Sequence, residues 1–370
     1  MDTRIALFLP RLDDGGAERV MLQLCKGFAA RGHDVDLVVA VPGGPLESQV
    51  PTVARRIDLG AKRNVAALPA FVRYLRRERP AALLSTLEYG NILAVWAAKL
   101  ARVKTRVVLR EANVLLPQDQ MRGLRPHAER ALMRRFYPMA DAIVAVSESV
   151  ERDLVAGLRL DGRTIRTIYN PVITRELEPK AAAALEDPWF GSGQPPVVLG
   201  VGRLAPQKDF ATLVRAFAEV RAKRPARLVI LGEGEERAAL EALACELRVD
   251  TDVRLPGYDH NPFRYMSRAT VFALSSIFEG LPGALIQAMA CGCRVVSTDC
   301  PGGSREILDG GGRSLGELVP MRDPRRLAAA ILTLLEDADR GPARLVHPVE
   351  RFQEEGAVNA YLDVLGVRTP

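Results

Sequence analysis

Cysteine and histidine are scarce in this chain, with five cysteines and four histidines in 370 residues. The cysteines (Cys25, Cys245, Cys291, Cys293, Cys300) are odd in number and sit in apolar or loop contexts, which favours reduced thiols over a disulfide framework. Cys291, Cys293 and Cys300 lack a neighbouring histidine and paired C-x-x-C spacing, which argues against a structural zinc site. Apolar runs are short. None reaches the roughly 18 residues of a membrane-spanning helix, and the run in MDTRIALFLP is too short for a signal peptide, so a cytoplasmic chain is expected. Aromatic residues make up 5% of the chain and do not interleave with its basic clusters; with no reader motif present, nucleic acid is not an expected partner. Gly15-Gly16 lacks the third glycine of a dinucleotide fingerprint, and no following Lys-Ser or Lys-Thr makes it a P-loop.

What is present is a repeated alternation of buried-strand runs and helical stretches. Arg4 to Pro10 reads as a strand, 13–19 as the loop into a helix carrying Val20, Leu24 and Phe28 on one face, and 34–41 as the next strand. Further strands are expected at 82–86, 106–109, 142–146 and 165–169, with Ser147 as an N-cap. This alternation predicts a doubly wound α/β domain. The stretch 176–196 is rich in Pro, Gly and Ala and reads as a linker. The alternation then restarts at 197–201 and runs through strands at 227–231, 253–255, 271–275 and 294–298. Expected boundaries are thus 1–175, a linker, and 197–350, with a helical segment near 351–370. Two such halves predict a cleft between them, where ligand binding is the usual outcome.

The most informative stretch is Ser276 to Leu308, SIFEGLPGALIQAMACGCRVVSTDCPGGSREIL. A strand, a turn with Glu279, Gly280, Leu281, Pro282 and Gly283, and a short apolar helix put outward-pointing amides at an anion site. Glu279 stands at its lip, where an acid suits the hydroxyls of a sugar that the anion carries. In the same half, Arg203 and Lys208 lie five residues apart just beyond a strand end. Formal D-x-D patterns occur at Asp34-Asp36 and Asp250-Asp252, but they fall at strand starts or between elements and read as structural.

EGLPGALIQAMACG followed by STDCPGGSREIL closely resembles the donor segment of family 4 glycosyltransferases, and GRLAPQK resembles that family's G-R-L-x-x-x-K string. The resemblance implies a GT-B fold, two Rossmann-like doubly wound α/β domains facing each other across a cleft, with the last helix crossing back onto the first domain. It implies a retaining, metal-independent transfer with no cofactor, a nucleotide sugar being the donor substrate. Arg203 and Lys208 would stabilise charge on the leaving diphosphate, each such contact being worth on the order of 3 kcal/mol. Glu279 would contact the donor sugar, with Gly280 and Leu281 beside it, and Gly16 of the G-G-A-E-R loop would face the donor. Gly257 and Tyr258 would lie near the base. The sequence does not separate uridine from guanosine, and a UDP-sugar is the expectation adopted.

Two positions depart from the family pattern. Where relatives carry Glu-His, this chain has Glu111 then Ala112, and Glu111 suits positioning better than base chemistry. Where the second acid of E-x7-E is usual, Gln287 stands; its amide can still accept from a ribose hydroxyl, with the charge removed. No carboxylate is identifiable as a covalent nucleophile, which leaves same-face attack with the leaving phosphate taking the acceptor's proton.

The net charge is +6, with basic clusters at Arg73, Arg76, Arg77 and Arg79 and at Arg122, Arg125, Arg130, Arg134 and Arg135. A solvated helix face explains them, and so does peripheral contact with anionic lipid at the inner face of a membrane. Together with these clusters, the resemblance of Ser297 to Leu308 to cell-surface glycan enzymes implies a lipid-linked or cell-surface polysaccharide acceptor. The alternatives are a nucleotide-sugar-binding protein with weak transfer activity and a nucleotide-sugar epimerase on the same architecture.

Overall fold

A computed structural model describes residues 4–13, 15–115, 124–310, 314–341 and 344–367. They divide into two compact units, Met1–Pro171 with Phe352–Pro370, and Val172–Arg351.

The first unit runs β1 (Ile5–Leu9), α1 (Gly16–Ala29), β2 (Val35–Val39), β3 (Arg55–Asp58), α2 (Leu68–Glu78), β4 (Ala82–Thr86), α3 (Glu88–Ala101), β5 (Arg106–Glu111), α4 (Leu124–Phe136), β6 (Ala142–Ala145), α5 (Glu148–Leu158) and β7 (Ile165–Thr167). The strands form one parallel sheet in the order β3-β2-β1-β4-β5-β6-β7. Every residue of β1 is buried, as a central parallel strand covered on both faces requires. Ile5, Leu7 and Leu9 enter a core shared with Leu24 and Phe28 of α1. Phe8 points the other way and stacks on Phe71 of α2, ring centres 4.3 Å apart. Ser147 caps α5 by accepting from the Val150 amide at 3.2 Å, satisfying a donor that the helix start leaves open.

The second unit contains α6 (Leu177–Ala182), β8 (Val197–Val201), α7 (Phe210–Arg221), β9 (Arg227–Leu231), α8 (Arg237–Glu246), β10 (Val253–Gly257), α9 (Phe263–Met266), β11 (Val271–Leu274), α10 (Gly283–Ala290), β12 (Arg294–Thr298), α11 (Ser304–Leu308), β13 (Glu317–Val319) and α12 (Pro324–Arg340). Its sheet order is β10-β9-β8-β11-β12-β13, again parallel. Phe210, Leu213 and Phe217 of α7 and Leu327, Ile331 and Leu335 of α12 cover one face of it. The last helix, α13 (Glu354–Leu365), belongs to the first unit and lies on α1. Gly27 permits that approach, since a Cβ there would stand 2.5 Å from a methyl of Val358.

Two features differ from the sequence reading, the expected linker and the strands β3 and β13. The stretch read as a linker, 176–196, is folded onto the second unit. The Asn261 side chain donates to the Lys180 carbonyl at 2.9 Å, and Trp189 lies under the guanidinium groups of Arg227 and Arg254 at 4.8 and 3.9 Å. The two edge strands β3 and β13 carry no apolar run. In β3 the Arg55 guanidinium forks onto Asp36 at 2.8 and 2.6 Å, and charge on an edge strand blocks pairing with another chain. That fork, with the Tyr74 hydroxyl at 2.7 Å, gives Asp36 of the first D-x-D a structural task. Asp252 of the second receives Arg221 at 2.7 Å.

Candidate active site

The carboxyl ends of parallel strands are where an open α/β sheet leaves backbone groups and loops free for a ligand. In the second unit the loops after β8, β9 and β10 are locked together there. The Gly202 amide donates to the Leu231 carbonyl at 3.0 Å, the Gly232 amide to the Gly257 carbonyl at 2.9 Å, and the Leu204 amide to the Glu233 carbonyl at 2.8 Å. Gly232 has φ +143, and a Cβ on it would stand 1.9 Å from the Gly202 carbonyl oxygen, so only glycine fits. This interlock fixes Arg203 at the end of β8 and Gly257 and Tyr258 at the end of β10. Arg203 is exposed, and Tyr258 is exposed with its ring edge-on to His260.

The loop after β8 is also tied to the loop after β11. The Ile277 amide donates to the Gln207 carbonyl at 2.9 Å, and the Gln207 amide group donates to the Phe278 carbonyl at 2.9 Å. Ser275 Oγ donates to the Lys208 carbonyl at 2.7 Å. Those ties bring two sequence-predicted residues together. Lys208 Nζ donates to Glu279 Oε1 at 2.6 Å, and Ser276 Oγ donates to the same oxygen at 2.6 Å. The ammonium side chain is 19% exposed and the carboxylate 8%, so the pair sits at the rim of the fold rather than in open water. Lys208 has three protons to donate, and Glu279 takes one of them.

Glu279 is held from below by its own backbone. Its amide donates to the Pro301 carbonyl at 2.9 Å, and the Gly303 amide donates to the Gly280 carbonyl at 2.9 Å. Gly302 has φ +123, and a Cβ there would lie 2.1 Å from the Glu279 carbonyl oxygen. The loop after β12 is therefore a platform for the loop after β11. Gly280 and Leu281 are buried, Gly283 starts α10, and Gln287 lies half-buried on that helix. Ser276, Gln207 and Gly302 were not singled out by the sequence reading. The strings that hold them were in view, but only the fold shows what each touches.

In the first unit Gly16 is the exposed first residue of α1, and a Cβ on it would meet nothing within 4 Å. Gly15 has no such room, because a Cβ there would lie 2.2 Å from a carboxylate oxygen of Glu18. Glu111 ends β5 and is 1% exposed. The Tyr137 hydroxyl donates to its Oε2 at 2.7 Å, and the Asn91 side chain donates to that hydroxyl at 3.1 Å. Burial, then the nearby charge of Glu88, pushes the Glu111 carboxyl well above its ordinary range. The enclosed carboxyl is not in contact with solvent. The same edge of the sheet carries a cavity of about 490 Å³ lined by Arg11, Lys62, Arg63, Glu88 and Tyr89.

All five cysteines are free, and burial pushes the thiols of Cys293 and Cys300 up to about 12 and about 11. Among the described residues no group of three or more His, Cys, Asp or Glu side chains is placed to hold a metal ion. No helix among them is long and apolar enough to cross a membrane.

Comparison with known proteins bears on these placements. The family model described as glycosyltransferase family 4 matches residues 14–176, and that described as glycosyl transferases group 1 matches residues 195–337. The chain is 30% identical over 355 residues, 90% of each protein, to a Campylobacter jejuni enzyme named N-acetylgalactosamine-N,N'-diacetylbacillosaminyl-diphospho-undecaprenol 4-alpha-N-acetylgalactosaminyltransferase. The chain belongs to glycosyltransferase family 4. It is also 28% identical to the lipopolysaccharide core biosynthesis glycosyltransferase LpsE of Rhizobium meliloti, over 95% of this chain and 96% of that one. A glycosyltransferase structure from Rickettsia africae superposes with a TM-score of 0.79 at 16% identity over 98% of each chain. The Anabaena protein HepE, solved with UDP and glucose, gives 0.74 at 17% identity over 99% of this chain and 97% of that one. These structures support the GT-B fold. Of the residues described above, Gly16 and Glu111 fall within the first matched region, and Arg203, Lys208, Glu279 and Gln287 within the second.

Proposed function

We propose that this glycosyltransferase is retaining and metal-independent, and that it moves a sugar from a nucleotide donor, a UDP-sugar by preference, to a lipid-linked or cell-surface polysaccharide acceptor. The observation that carries the reading is the convergence of Lys208, Ser276 and Glu279 at the carboxyl ends of β8 and β11. In the transfer the bond from the anomeric carbon to the diphosphate oxygen breaks, and that oxygen gains negative charge. The donors left on Lys208, the Arg203 guanidinium and the first amides of α10 meet that charge, in keeping with electrostatic stabilisation of about 3 kcal/mol per preorganised contact. Glu279 accepts from the sugar hydroxyls. The acceptor hydroxyl bonds to the anomeric carbon on the face the diphosphate leaves, and its proton passes to the leaving phosphate oxygen.

The relatives support the substrate class. The Campylobacter enzyme is named for an alpha transfer onto a diphospho-undecaprenol-linked saccharide and LpsE for the lipopolysaccharide core, while HepE was solved with UDP and glucose. An α-linked donor that yields an α-linked product retains configuration. The 490 Å³ cavity of the first unit, lined by Arg11, Lys62 and Arg63 and also by Asp13 and Glu88, suits a polar acceptor. A lipid-linked acceptor and a nucleotide-sugar donor together suit an enzyme that works at the cytoplasmic face of a membrane.

The test is a donor-screened transfer assay on the purified protein with a membrane extract, followed by mass analysis of the product and assignment of its anomeric configuration. We expect UDP release coupled to product, an unchanged anomer, and the same rate with EDTA. Absence of nucleotide release from every donor would sink the reading. An inverted product or a loss of rate in EDTA reversed by magnesium would overturn those clauses separately.

A further inference from the structure

The first unit carries a second cavity, of about 360 Å³, lined by β5, β6, β7 and α13. Helix α13 packs on β4 and β5, and β7 is the edge of the sheet, so the cavity lies between the helix and that edge. The alternation of β7 decides which side chains reach it. Thr167 turns its hydroxyl to the opposite face, where it donates to Glu151 of α5, so Arg166 and Ile168 point to the side of α13. Ile168 belongs to the core that also holds Ala142 and Val364, and with Ala360 these three make an apolar floor. Arg106, Arg163 and Arg166 stand exposed around it.

Two carboxylates share the lining, Asp141 and Asp363, and neither pairs with these cations. Asp141 accepts from the Val107 amide at 2.7 Å, and Asp363 is exposed on α13. Arg106 spends its Nε on the Val364 carbonyl at 2.8 Å, which leaves both of its Nη groups. Among the described residues none of the three arginines forms an ion pair. Blocking strand pairing explains a charge on an edge strand such as β7. It does not explain Arg106, which opens β5 two strands in from the edge, or Arg163 in the turn before β7. The cavity stays net positive with both carboxylates counted. Guanidinium forks match phosphate oxygens bidentately, and a floor without polar side chains suits an apolar body. The cavity is also remote from the transfer chemistry, because Arg106 opens β5 and Glu111 closes it, about 16 Å away along an extended strand. The basic clusters singled out in the sequence take no part in it, and of these Arg122 and the side chain of Arg125 fall outside the described residues.

We propose that this cavity binds a small organic phosphate, its phosphoryl group held by Arg106, Arg163 and Arg166 and its body resting on Ala142, Ile168 and Ala360, as a site separate from those of donor and acceptor. The proposal goes beyond the transfer reading and does not depend on it. Its test is calorimetric titration of the full chain with phenyl phosphate, a compact aromatic monoester, and with inorganic phosphate. We expect one-to-one binding of phenyl phosphate, at least about fivefold tighter than inorganic phosphate, because its ring leaves water for the floor. R163Q/R166Q should weaken phenyl phosphate more than about tenfold, with the wild-type melting midpoint and UDP affinity kept. A360L, which fills the floor, should weaken phenyl phosphate but not inorganic phosphate. Absence of saturable binding would overturn the proposal. Undiminished binding by R163Q/R166Q would do so by placing the anion elsewhere, and equal affinities for the two anions would remove the organic body. Loss of UDP affinity in the arginine variant would assign these residues to donor binding instead.

Discussion

Lys208 Nζ and Glu279 Oε1 stand 2.6 Å apart although 71 residues separate them in the chain. Each partner answers the other's charge in a rim that is only partly wet. Removing either leaves an uncompensated charge there, which costs about 3–5 kcal/mol for a fully buried pair and, with Lys208 19% exposed, less here. Lys208→Met and Glu279→Gln should each lower turnover at least a hundredfold, as expected for loss of one transition-state contact. In denaturant unfolding the double variant should be more stable than the sum of the single losses predicts. Near-normal turnover in either single variant would remove that residue from the mechanism.

Glu111 makes stability depend on pH. Its carboxyl is raised well above the ordinary value of 4.5, first by burial, so the native state holds a proton that the unfolded chain releases earlier. The stabilisation is complete below pH 4.5 and is lost as pH rises toward the folded-state value. Glu111→Gln keeps the shape and the acceptor for Tyr137 without a group that must ionise. Its melting midpoint should match wild type near pH 4.5 and exceed it at pH 8, with the gap opening between. A constant gap across that range would show that Glu111 is not held neutral.

The central strands of both sheets and the turn after β11 were legible in the sequence because they rest on signals that chemistry imposes locally. A strand covered on both faces must be a continuous apolar run, as Ile5–Leu9 and Val271–Leu274 are. The turn between β11 and α10 was legible from its own punctuation, Gly280, Pro282 and Gly283. The edge strand Arg55–Asp58 was not legible, because its place is set by Asp36, 19 residues away, and not by its own hydropathy. The fold of 176–196 onto the second unit was hidden for the same reason, since Trp189 is held by Arg227 and Arg254 from other strands. The enclosure of Glu111 by Tyr137 and Asn91 likewise needed three separate elements to meet.

Two glycines should separate structure from function. Gly302→Ala puts a methyl 2.1 Å from the Glu279 carbonyl at a φ of +123, and should cost about 3 kcal/mol of stability together with most of the turnover. Gly16→Ala meets nothing within 4 Å, and alanine at a helix start is at worst neutral, so melting should hold or rise slightly. If Gly16 faces the donor, turnover falls in that stable protein. Full activity in Gly16→Ala would take Gly16 out of the donor site.

If Gln287 faces the ribose, it bears on nucleotide affinity. Its amide would then accept from one ribose hydroxyl through its carbonyl, whereas a carboxylate would accept from two, each bond about twice as strong as a neutral one. Against that gain stands repulsion from the diphosphate, about 0.5 kcal/mol for unit charges some 8 Å apart in a water-like medium. The gain is the larger, because even one added charge-assisted bond contributes about 1.5 kcal/mol or more net. Gln287→Glu should therefore bind UDP roughly fivefold more tightly by calorimetry, about 1 kcal/mol. Turnover at saturating donor should stay within about threefold, since the ribose contact is the same in ground and transition states and uniform binding does not change kcat. A weakened or unchanged affinity would place the ribose elsewhere and leave α10 to the diphosphate alone.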